Sequence, residues 1–294
     1  MSDDVMITFG SGTEDDPYLV DTIKELRAKA ALGEVYIKVT KDIDCNLENY
    51  LHWQTLTTDA HIDLDMHSIL NVYIDGGNRC FKGATISNGY FLNCYTDSTM
   101  PFFDYCTLNR VGVKGFQLQN ARSSFFNVCK MNECNMKMTN YCKTESTTIM
   151  NYNYRENGEY DIQNTLFTIK SMWNPHVFTA DSGSNNDILV MKDCRIEMKF
   201  GNITKAPSFF YEGYYSRNRQ VVFNTCIVIA DYPKGLSSSS PSMWGGNAGS
   251  INCIVVKDKL PEGIRIPSGA QFVTDEQVRD PDYLNSIEFI VAEV

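Results

Sequence analysis

One short phrase recurs along this chain and restricts what it can become. Apolar residues are followed by Asn or Asp, then by Cys within two positions, then by apolar residues in alternation. It reads Phe91-Leu-Asn-Cys94, Phe102-Phe-Asp-Tyr-Cys-Thr-Leu108, Phe125-Phe-Asn-Val-Cys-Lys-Met131 and Val190-Met-Lys-Asp-Cys-Arg-Ile-Glu-Met198. It returns as Val221-Val-Phe-Asn-Thr-Cys-Ile-Val-Ile229 and Ser250-Ile-Asn-Cys-Ile-Val-Val256. Alternation at period two marks a strand with one face buried. Asn and Asp accept the left-handed backbone of a sharp turn and bond neighbouring peptide groups. Each phrase therefore predicts a strand, a one-residue corner and a second strand, with a small thiol turned inward past the corner. The phrases recur at irregular intervals of roughly 12 to 32 residues, within reach of stacked repeats. Helical periodicity is scarce between Cys80 and Val256. Asn-Gly, the usual hairpin dipeptide, occurs only at Asn88-Gly89 and Asn157-Gly158, which argues against a sandwich. The fold class expected is all-β: a right-handed parallel β-helix, or solenoid, with a short N-terminal capping helix.

A solenoid must cover the raw strand edge at its start. Thr22-Ile-Lys-Glu25 has the form of a capping box, with Ile23, Leu26 and Ala30 on one face and Gly33 placed to stop the helix. A helix of about three turns followed by a strand over Val35–Val39 is predicted there. The domain reading is residues 1–50 for the first strand and capping helix, 51–260 for the parallel coils and 261–294 for a closing segment.

The 10 cysteines form no CxxC pair, so the short knuckles of a zinc ribbon are missing. The chain opens Met-Ser-Asp-Asp, without a basic or apolar leader, and this predicts folding in the compartment of synthesis with thiols free and buried. No metal and no cofactor is expected. With 26 basic against 36 acidic residues the net charge is −10, which disfavours nucleic acid as a partner. No apolar run reaches the roughly 20 residues of a membrane span, so no membrane insertion is expected.

Gly10-Ser-Gly-Thr-Glu-Asp-Asp-Pro-Tyr-Leu-Val20, then the helix, then Lys41-Asp-Ile-Asp-Cys-Asn46, resembles the opening segment of pectin-lyase-like β-helix proteins. That pattern is frequent in tailed-phage virion proteins and bacterial surface proteins. Trp53 and Ile62–Asp75 are similar to the family's next coils, although Leu64-Asp-Met-His-Ser-Ile69 lacks the glycines found there. The stretch from Thr274 to Phe289 resembles a C-terminal closure of similar phage proteins. The resemblance implies an architecture and fixes no reaction.

Candidate chemistry is sparse. His61-Ile-Asp-Leu-Asp-Met-His67 would put two His and two Asp on one strand face, close enough to grip a metal, with Ile62, Leu64 and Met66 inward; a solvated face is the expected reading. Asp181 to Asp187 alternates oxygen ligands but lacks the Gly and Glu of a calcium loop and reads as a polar turn. Asp181, Asp187, Asp193, Glu197 and Glu212 offer carboxylates, yet no spacing selects an acid–base pair, so no catalytic residue is named. Trp173, Tyr211, Tyr214, Tyr215 and Trp244 lie beside polar loops, where aromatic faces could stack on sugars; they are the candidate glycan-binding residues. Phe102 with Phe103, Phe125 with Phe126, and Phe209 with Phe210 are adjacent pairs. In regular strand one of each pair would face outward, and an apolar stripe of this kind predicts a homotrimer. The expected function is that of a virion protein made in the bacterial cytoplasm: a tail-fibre, tailspike or head-decoration subunit. It would present loops to host surface polysaccharide or to other virion proteins. A polysaccharide depolymerase and a purely architectural adaptor are the alternatives.

Overall fold

The computed structural model describes residues 9–48, 50, 52–119, 124–142, 148–152, 160–172, 176–180, 188–201, 210–212, 220–233, 251–260 and 270–286. Its strands fall into an 18-stranded sheet and a 7-stranded sheet. Every pairing between described strands of the 7-stranded sheet is parallel. The same holds along the main sheet. Ile37, Ile62, Ile86, Leu108, Met131, Ile162 and Met191 are successive cross-strand neighbours there. All seven are buried, so one apolar row runs from the first coil of chain to the centre.

Left-handed residues turn the chain at its corners, and those between this row and the next are Asn88, Arg110, Glu133, Asn164, Asp193 and Thr225. Asn93, Tyr105, Val128, Glu133, Asp193 and Thr225 all have φ between 52° and 56°, and each immediately precedes a cysteine. The thiols are buried and free at all ten positions. Their S–H groups donate weakly to carbonyls of the neighbouring strand: Cys134 to Leu108 at 3.4 Å, Cys194 to Ile162 at 3.3 Å and Cys226 to Met191 at 3.3 Å. A small side chain is needed here because the corner brings two backbones close. Past the corner a second buried row follows through Phe91, Val113, Met136, Phe167, Ile196, Val228 and Val255.

The expected right-handed β-helix solenoid is corrected by how these rows are joined. The twelve-residue strands Thr107–Leu118 and Gln220–Asp231 run through their corners at Arg110 and Thr225 without a break. Each therefore pairs with strands of both rows. Pairing passes from Thr107–Leu118 through Lys130–Asn132, Tyr160–Gln163 and Ile188–Lys192 to Gln220–Asp231. It returns through Arg195–Phe200, Leu166–Ser171 and Asn135–Asn140. By its connectivity this is a closed, barrel-like ring of eight parallel strands, carrying extra strands at each end. The corner grammar specifies strand, turn and inward thiol locally. It carries no information on which strands continue through a corner, and that decides closure.

The apolar stripe is also corrected. Phe102, Phe103, Phe125 and Phe126 are all fully buried. Phe102 occupies a bend just before the strand Phe103–Asp104, so the pair does not alternate as regular strand would. In Ser124–Asn127 the register to the next strand uses Ser124, Phe126 and Asn127 and skips Phe125. Both rings of each pair consequently turn inward. Phe103 stacks between Phe81 and Phe126, with centroids 6.4 and 5.9 Å away, and Phe102 stacks on Phe125 at 5.7 Å. The physical motive offered for a trimer is thereby removed for these pairs; Phe209 lies outside the described residues.

The helix forms at Ile23–Ala30, eight residues rather than three full turns. Thr22 Oγ1 accepts from the Glu25 amide at 3.2 Å, and Ile23, Leu26 and Ala30 are buried against the first strands. Arg27 donates to the Gln54 carbonyl at 2.7 Å and lies over the Tyr50 and Trp53 rings, which pins the helix to the core. At the other end the strand Ala270–Val273, a short turn Gln277–Arg279 and the helix Pro281–Ser286 close over a satellite cluster of Ile229, Ile254, Val256, Val273 and Val278.

Candidate ligand-binding groove

Of the residues expected to contact glycan, Trp173, Tyr214, Tyr215 and Trp244 lie outside the described residues. Tyr211 falls in Phe210–Glu212, the terminal strand of the 7-stranded sheet, where its neighbour in register is Thr179. The polar turn Asp181–Asp187 is likewise outside them, and the side chain of Glu212 is not described.

The His/Asp segment does not form one face. The strand covers only His61–Asp63, and Asp65 and Met66 turn with φ of 45° and 69°. Leu64 is buried as expected, but Met66 is 65% exposed, which corrects its inward placement. The four polar side chains go separate ways: His61 stacks on Tyr36 at 4.5 Å, Asp63 accepts from Asn88 at 2.9 Å, Asp65 pairs with Lys38 at 3.0 Å and His67 approaches Asp42 at 3.7 Å. No metal-holding group of His, Cys, Asp or Glu occurs among the described residues.

What the fold does assemble is a groove of about 370 Å³ on the outer face of the main sheet. It crosses Asn135–Asn140, Leu166–Ser171, Arg195–Phe200 and Gln220–Asp231, and Lys259 stands at its end. Strict alternation builds it. Met136, Met138, Phe167, Ile169, Ile196 and Met198 turn into the core, so the residues between them must face solvent. In-register pairing then sets two outward rows side by side. Lys137, Thr168, Glu197 and Ile229 form one, and Thr139, Lys170, Lys199 and Asp231 form the other.

The electrostatics are uneven. Glu197 accepts from Arg195 Nε at 2.6 Å, and Lys259 pairs with Asp275 at 3.1 Å. Asp275 also holds Arg279, at 2.7 Å. Lys137, Lys170 and Lys199 make no ion pair with a described residue, and Lys170 lies directly opposite Lys199 in the ladder. Like charges at directly opposed positions destabilise a sheet. The groove thus concentrates positive charge on a chain whose net charge is −10.

Reading the strands singly missed this site, because an outward Lys on a strand looks like any solvated residue. A faint signal existed: Lys170, Lys199 and Asp231 stand at the same distance past Thr165, Cys194 and Cys226, three equivalent corners. No helix among the described residues is long and apolar enough to cross a membrane. No protein-family model matches the chain, and no curated protein and no solved structure matches it.

Proposed function

We propose that this chain is a structural and adhesive subunit of a tailed-phage particle, of tail-fibre, tailspike or head-decoration type, and that the groove is the surface it offers to a host glycan or a neighbouring virion protein. The assignment to a particle rests on the resemblance of the Gly10–Asn46 and Thr274–Phe289 segments to phage proteins. The adhesive role rests on one observation: a lysine-bearing groove on the solvent face of a sheet whose other face is packed with apolar rows. Such a framework presents surface groups at fixed spacing, because each strand is hydrogen-bonded along its length. The same geometry favours adhesion over catalysis. Glycoside cleavage needs two carboxylates facing the scissile bond, and in the groove Glu197 is engaged by Arg195 while Asp231 lies in the other row.

Immunogold labelling of purified particles with antibody to this chain tests the setting. Particles should label at one defined position. Antigen confined to the particle-free fraction of the lysate would overturn the proposal.

A further inference from the structure

We infer that the groove holds a tetrahedral oxyanion, a phosphate or sulfate group, between Lys170 and Lys199. This rests on the groove being a binding surface and names the chemistry it takes. Adjacent parallel strands are about 4.8 Å apart, so two ammonium groups on opposed, outward positions can reach one anion between them. Without that anion they repel. Lys137 stands diagonally from Lys170, beside Thr168, and Thr139 pairs with Lys170. Register thus sets three lysines and two threonines at adjacent outward positions on three neighbouring strands.

That arrangement suits a group with three oxygens turned toward the floor. A planar carboxylate is best met by the rigid fork of Arg, whereas Lys acts as a point charge and serves phosphate well. The neighbouring carboxylates offset only part of this positive charge, Asp231 from its position opposite Lys199. Glu197 is held by Arg195, and neither it nor Asp231 forms an ion pair with the three lysines. A chain of net charge −10 repels anions at long range, so retention of one here needs local contacts of this kind.

The source of the group, a free ion or a sulfated or phosphorylated polymer, is separated by the test. Thermal unfolding of the wild-type chain is followed against sodium sulfate and sodium phosphate at constant ionic strength, with chloride as reference. Binding of dextran sulfate and of polygalacturonate is measured in parallel. Saturable stabilisation by sulfate or phosphate, reduced about tenfold in apparent affinity by Lys170→Met and by Lys199→Met, supports the site. Dextran sulfate binding with the same dependence extends it to polymer-borne groups, and stabilisation by the free ions alone restricts it to small anions. Both variants should also melt at or above the wild-type temperature without anion, since the repulsion is gone, and this shows that they fold. Lys24→Met, at an exposed position of the helix Ile23–Ala30, which contributes nothing to the groove, should change nothing. Equal effects of chloride and sulfate, tighter binding of polygalacturonate than of dextran sulfate, or no response to Lys170→Met and Lys199→Met would overturn the inference. Labelled particles with no sulfate or phosphate site would sink this inference alone and leave the virion reading standing.

Discussion

Val128 and Thr225 hold φ of 55° and 54°, a conformation that β-branched residues avoid because Cβ crowds the following carbonyl. They persist because the register on both sides leaves no alternative. The sequence phrase led to the expectation that Asn or Asp would occupy the corner. That is so for Asn88, Asn93, Asn164 and Asp193, whereas at Tyr105, Val128, Glu133 and Thr225 the Asn or Asp sits one residue earlier. Asn127 donates to Asp104 at 2.6 Å and Asn164 to Asn132 at 3.2 Å, linking successive strands through side chains. Asp104 also lies 2.6 Å from Arg79 Nε, off-line for a hydrogen bond and therefore an ion pair. Corner strain is removable where the side chain has no second role. Glu133 is exposed at φ 53°. Glu133→Asn is expected to stabilise the fold by about 1 kcal/mol, the usual difference between a tolerated and a strained left-handed residue. Urea denaturation would measure it, and a lower midpoint would contradict the corner argument.

At the scale of elements, the aromatic column is the most demanding packing in the molecule. Phe103 touches Phe81, Phe91, Phe102, Phe125 and Phe126 with centroids 4.8 to 6.4 Å away. Phe103→Ala should cost about 3 to 5 kcal/mol through lost transfer energy and a cavity that surrounding rings cannot close. Leu47→Ser, at a site 82% exposed, should stay within about 0.5 kcal/mol of wild type. Comparable losses from both in chemical denaturation would mean the column does not carry the core. The same scale shows what a sequence can disclose. The helix Ile23–Ala30 was legible because a capping box and its apolar face are local to a few residues. The thiol corners were legible for the same reason. Period two failed over Asp65 and Met66, where two left-handed residues break the strand inside an alternating run. The groove was not legible, since Lys170 and Lys199 are neighbours only through cross-strand register, and register is a property of two distant segments at once.

For the whole molecule, the buried thiols set an alkaline limit. Burial pushes Cys45, Cys94 and Cys253 up to about 12 and Cys134 up to about 11. Burial likewise holds Cys226, in contact with Cys194, well above its ordinary range. In the unfolded chain these groups ionise near about 8.5. A proton held more tightly by the native state favours folding fully below that pH and progressively less above it. Each such thiol then removes up to about 1.4 kcal/mol per pH unit until its folded value is reached. Urea midpoints should therefore agree at pH 7 and 8 and fall steeply from pH 9 to 10, and an unchanged midpoint through pH 10 would refute the shifts. Parallel pairing of later strands with ones laid down earlier has a further consequence, for synthesis. The helix and the first strands leave the ribosome ahead of the strands that build on them, and from Thr85–Leu92 onward every described strand of the main sheet emerges to find an earlier partner already made. Around the ring two edges grow from Thr107–Leu118 in the direction of translation, and both stay open until Gln220–Asp231 pairs with Ile188–Lys192 on one side and Arg195–Phe200 on the other.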